Sequence, residues 1–111
     1  MTSTALIGLD HTVVTVGSTA TFTCTCTTES SEPRLSWIFA AVDGRFENRY
    51  LYCEHSSMAP KCSITLTNNN RTSSLTINDV QLTDAGQYTC LACWNEWKAK
   101  AVSILSVVGK K

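Results

Sequence analysis

Cys24, Trp37 and the run Asp84-Ala85-Gly86-Gln87-Tyr88-Thr89-Cys90 constrain this chain more than anything else in it. Each sits in a segment whose apolar residues recur at every second position. Ala20, Phe22, Cys24 and Cys26 alternate with Thr21, Thr23 and Thr25, the period of a half-buried strand. Leu35, Trp37 and Phe39 repeat the pattern, and no window sustains a helical period. The chain is therefore all-β, with turn residues between short strands.

The remaining segments follow the same rule. Thr12–Val16 precedes a Gly17-Ser18 turn, and Ser30-Ser31-Glu32-Pro33 reads as a loop because proline disfavours sheet interiors. Asp43-Gly44 is a hairpin signal ahead of a strand over 46–53. Cys62, Ile64 and Leu66 share one face of the next strand, and Asn68-Asn69-Asn70 forms a tight turn. Leu75 and Ile77 face inward, and a crossover passes through Val80 and Leu82. The last pair runs Gln87–Cys93 and Lys98–Val108, with Trp94-Asn95-Glu96-Trp97 in the loop between. The reading gives about nine strands and no helix, a Greek-key β-sandwich.

At 111 residues the chain holds one domain, assigned to 5–108, with 1–4 a lead-in and 109–111 a stalk or end. Met1-Thr2-Ser3 reads as an expression start on an excised domain. Nine basic residues balance nine acidic ones, which leaves no electrostatic footprint for nucleic acid. No apolar run approaches a membrane span, so membrane attachment is expected only through a missing anchor. Six cysteines in so short a chain fit an oxidising, extracellular compartment. The sequon Asn70-Arg71-Thr72 points the same way and makes Asn70 the expected glycosylation site.

The cysteine, the tryptophan and the D-x-G-x-Y-x-C strand together resemble the V-set of the immunoglobulin superfamily over essentially the whole chain. The resemblance implies a variable-type sandwich with an inter-sheet Cys24–Cys90 disulfide and Trp37 packed on it. It implies an ion pair between Lys61, where the family usually has arginine, and Asp84. It also places Tyr88 at the tyrosine corner, its hydroxyl bonding back to the backbone. Two departures exclude the rearranging receptors. The last strand has no Phe-Gly-x-Gly bulge, and Ile38-Phe39-Ala40-Ala41 replaces the Tyr-x-Gln-x-Pro segment that pairs heavy with light chains. The chain is similar to germline-encoded immune and adhesion receptors, costimulatory-like or junctional adhesion-like.

Four cysteines remain, with three possible connectivities. Cys26–Cys93 would staple the tryptophan-bearing loop, leaving Cys53–Cys62 to close a short loop. The rival is Cys53–Cys93 with Cys26–Cys62, which asks for a long reach across the opposite sheet. A four-thiolate zinc site from Cys24-x-Cys26 and Cys90-x-x-Cys93 competes weakly, because disulfides consume the thiolates. Neither metal nor cofactor is expected. His11 and His55 are the only histidines, and no nucleophile elbow or phosphate loop is present, so no catalytic residue is named.

Binding is the expected class. The resemblance implies contact through the front sheet and its loops, where Trp94, Trp97, Tyr50, Tyr52, Arg45 and Arg49 are the candidate ligand-binding residues. Tryptophan, tyrosine and arginine are the side chains that concentrate binding energy. The expected partner is a protein, with another immunoglobulin-superfamily member and a second copy as the candidates. The expected setting is a cell surface or secretion. A pathogen-encoded domain that engages host immune receptors, and a passive spacer lacking a clustered aromatic patch, are the alternatives.

Overall fold

The computed structural model describes residues 6–7, 11–26, 34–41, 49–50, 53, 61–68, 71–94 and 97–109. Side chains are described for 11–26, 34–41, 53, 61–68, 71–91 and 101–109. Among the described residues nine strands form two sheets. They are β1 (Leu6–Ile7), β2 (His11–Thr15), β3 (Ala20–Cys26), β4 (Arg34–Ala41), β5 (Arg49–Tyr50), β6 (Cys62–Thr67), β7 (Thr72–Ile77), β8 (Gly86–Trp94) and β9 (Trp97–Val108). One sheet has the order β1-β3-β7-β6 and the other β2-β9-β8-β4-β5. All pairings are antiparallel except β2 with β9. The all-β sandwich expected from the alternating segments is the fold observed. The sequence reading omitted a 3-10 turn, Leu82–Asp84, and the short strand β1.

Alternation sets the two faces of each sheet. In β3, Ala20, Phe22, Cys24 and Cys26 are buried, while Thr21, Thr23 and Thr25 point away from the core. From the other sheet come Trp37, Phe39, Tyr88, Cys90 and Leu105, and Leu75, Ile77 and Val80 complete the interior. Phe22 stacks on Tyr88 at 5.0 Å between ring centroids, and Phe39 meets the same ring at 4.8 Å. Trp37 is buried whole, so its indole N–H needs an internal acceptor. It donates to Ser73 Oγ at 2.9 Å, which also accounts for a serine at a core position. Ser103 Oγ, equally buried, has no hydrogen-bond partner among the described residues.

Among the described residues two disulfides are formed. Cys24 and Cys90 join the sheets, with Cα atoms 6.6 Å apart, and Cys53 and Cys62 close a short loop at 5.3 Å. The Cys26–Cys93 bridge is not formed, and neither is Cys53–Cys93: Cys26 carries a free, buried thiol. Strand parity is the reason. Cys26 shares the inward face of β3 with Cys24, two places away. Cys93 stands three places from Cys90, an odd step, and is the register partner of exposed Arg34. Proximity of strand ends therefore did not imply a shared side of the sheet.

Candidate binding face

The end of the sandwich nearest the 3-10 turn is fixed by a small polar cluster. Lys61 Nζ lies 2.7 Å from Asp84 Oδ2 and also donates to the carbonyl of Asp79 at 3.0 Å. The same Asp84 oxygen accepts the backbone N–H of Gln81 at 2.8 Å, capping the turn. Tyr88 then donates its hydroxyl to the Asp84 carbonyl at 2.6 Å, so the tyrosine corner is in place. Beside these groups a cleft of about 260 Å³ opens between Phe39, Cys62, Ile77 and Thr83. The Lys61–Asp84 pair is half in solvent and contributes little to stability by itself.

Burial, and behind it the Asp84 carboxylate, holds the Tyr88 phenol above its ordinary value of 10.0. The folded chain therefore keeps this proton at pH values where the unfolded chain releases it. Stability is independent of this group below about pH 10 and falls above it, by about 1.4 kcal/mol per pH unit for one proton. Tyr88→Phe should cost about 1 kcal/mol at neutral pH through the lost hydrogen bond. It should also remove that part of the alkaline decline, so that wild type and variant converge between pH 10 and 11. Denaturant titrations across this range check it; parallel curves would contradict it.

The outward faces of the two sheets differ in chemistry. On the four-stranded sheet, register aligns Thr21, Thr76 and Ser63 in one row, and Thr23, Ser74 and Thr65 in the next. Thr25, Thr72 and Thr67 form a third. Hydroxyls of β3 and β7 face one another at 3.4, 3.0 and 3.2 Å. This is the polar outer surface expected of a sheet with one wet side.

The five-stranded sheet breaks that rule. Ile38, Ala40 and Leu91 hold outward positions, partly covered. Val102 is 41% exposed, Ile104 37%, Val13 59% and Val108 48%, all on the neighbouring strands β9 and β2. Among the described residues, four of the six exposed large apolar side chains lie here; the others are Leu66 and Leu82. Polar residues are interspersed with the apolar ones, Thr89 between Ile38 and Val102 and Gln87 between Ala40 and Ile104, so the face is mixed but richer in exposed apolar side chains than an ordinary wet sheet surface.

The topology brings some of the candidate ligand-binding residues to this sheet. Trp94 and Trp97 are the last residue of β8 and the first of β9, paired in register, with Asn95-Glu96 between them. They were expected within the loop and instead close the hairpin ladder. Tyr50 pairs with Ile38 and Arg49 with Phe39 on β5, beside β4. Arg45, Tyr52, His55 and Asn70 lie outside the described residues. Sequence reading missed the apolar outward rows themselves. The signal was present in Ala101–Val108, which is apolar at both parities, as a strand with two contacting faces should be.

His11 Nε2 is hydrogen-bonded to Ser106 Oγ, an open-surface pair. Among the described residues no carboxylate orients the imidazole, and the adjacent backbone is engaged in the β2–β9 ladder. Among the same residues no group of His, Cys, Asp or Glu could hold a metal ion.

The sequence profile of the immunoglobulin domain family matches residues 7–93. A comparison with curated proteins finds no significant match. Among solved structures, an I-band fragment of titin superposes with a TM-score of 0.74 at 24% identity, covering 98% of this chain and 34% of that one. The chain thus spans about a third of that fragment. Titin domain M7 gives 0.71 at 21% identity, covering 95% and 93% of the two chains. The complex of titin M10 with obscurin-like 1 gives 0.72 at 18%, covering 97% and 96%. These likenesses concern the fold. With the profile matching most of the chain, its two-sheet topology and its Cys24–Cys90 bridge across the sheets, the chain belongs to the immunoglobulin domain family.

Proposed function

We propose that the chain is an extracellular recognition domain of variable type, from a cell-surface immune or adhesion receptor. It binds a protein ligand through the outer face of the five-stranded sheet. The observation that carries this reading is the contrast between the two outward faces. One is a lattice of hydroxyls; the other exposes Val13, Val102, Ile104 and Val108 on β2 and β9, with Ile38 and Leu91 at outward positions on β4 and β8 and Thr89 and Gln87 among them. A fold that needed only solubility would have no use for the second surface.

Two disulfides support an oxidising compartment. Strand β5, beyond β4, supports the variable type, since constant-type domains end that sheet at the strand equivalent to β4. The immunoglobulin fold is typically non-enzymatic, which agrees with a binding role.

A panel screen of cell-surface ectodomains against the folded domain tests the proposal. Val102→Asp combined with Ile104→Asp should weaken the captured ligand roughly thirtyfold. Thr23→Asp, on the hydroxyl face, should leave binding unchanged. Equal losses from both, or none from either, would end the proposal. The second outcome would favour a passive module, a reading supported by the likeness to titin domains.

A further inference from the structure

We infer that the partner of this face is a protein surface bearing carboxylates around an apolar centre, and not a second copy of the chain. The inference rests on the reading of the face as a recognition surface. Nine basic and nine acidic residues balance over the whole chain. They do not balance over the described strand positions of this face. No outward position of β2, β4, β8 or β9 is acidic, whereas Arg34, Lys98 and Lys100 are basic.

The basic positions gather at one end. Arg34 is the register partner of Cys93, and Cys93 that of Lys98; Lys100 stands two places along β9, opposite Leu91. Arg34 is exposed and has no ion-pair partner among the described residues. The apolar rows of Val102 and Ile104 continue from this end down the same strand. Covering the apolar rows withdraws water from the adjoining cations as well. That is favourable only when the covering surface returns negative charge.

Among the strand positions of this face a second copy does not return it, because a two-fold contact presents the same patch on both sides and none of those outward positions is acidic. An acidic partner is also drawn in at long range, which raises its association rate and makes binding sensitive to salt.

Three probes test this on the intact chain, read by amide chemical shifts. Two are β-hairpin peptides of identical apolar sequence, one with Glu and one with Lys at its rim positions; the third is heparin. The Glu hairpin should perturb amides of β4, β8 and β9, weaken as salt rises, and bind about tenfold less to Arg34→Glu/Lys100→Glu. That variant should unfold at the wild-type temperature, and the free chain should sediment as a monomer. Preference for the Lys hairpin or for heparin, or a dimer held by this face, overturns the acidic-protein partner while leaving the face a recognition surface. No shift on the face with any probe removes the recognition surface, and the inference with it.

Discussion

Replacing Cys24 and Cys90 together by alanine should lower the unfolding free energy by about 4 kcal/mol. The bridge closes a loop of sequence separation 66, the longer of the two disulfide loops, so its loss returns the most conformational freedom to the unfolded chain. The sulfurs are also interior: Cys24 is 1% and Cys90 0% exposed, amid Phe22, Trp37 and Leu75. A domain of this length has roughly 5–15 kcal/mol in total, so the variant should sit near the edge of folding. Changing both residues avoids leaving one thiol to pair with the buried Cys26. The matching Cys53→Ala/Cys62→Ala variant, with a separation of 9, should lose about 2.5 kcal/mol. Urea unfolding of the three proteins gives the comparison. A 24/90 variant less affected than the 53/62 variant would refute the loop argument.

Gly86→Ala should cost about 3–5 kcal/mol without touching a hydrophobic contact. Gly86 begins β8 with φ of 154°, a backbone conformation that L side chains rarely adopt. Its register partner is Ala41, and a Cβ added there would sit on the carbonyl oxygen of Ala40 and 3.0 Å from the Ala41 Cα. Both obstacles are backbone of the adjoining strand and cannot turn aside. Relief requires β4 and β8 to separate just where Phe39 and Tyr88 pack together. Gly109→Ala is the control, because nothing lies within 4 Å of its added Cβ, and it should change stability by less than about 0.5 kcal/mol. Thermal unfolding of the two variants should separate them by many degrees; equal midpoints would show that the strands yield easily.

Much of the fold was legible because its determinants are local. The alternation of Ala20–Cys26 gave β3 with its bounds, and the spacing around Cys90 placed Gly86 and Tyr88. Where the reading erred, the missing quantity was which side of a sheet a residue occupies relative to one distant in sequence. Cys26 and Cys93 look like neighbours when counted from Cys24 and Cys90, yet their steps of two and three have opposite parity. Read from the sequence, Trp94-Asn95-Glu96-Trp97 falls in the loop between the last two strands. The ladder of β8 and β9 runs up to both, and their register is set by residues far down the strands.

The sequence by itself determined the all-β architecture, the cysteine and tryptophan of the core, the Lys61–Asp84 pair and the tyrosine corner. The first follows from side-chain period, and the others from what the immunoglobulin resemblance implies for these positions. Only the tertiary structure decided the cysteine pairing and the chemistry of the outer faces. The hydroxyl rows join three strands, β3, β7 and β6, and the apolar surface draws on β2, β9, β8 and β4. A face of a sheet is made by register between strands, and register is fixed by the whole buried interior at once. The surface on which recognition is proposed is therefore a property of the assembled sandwich that no single strand carries.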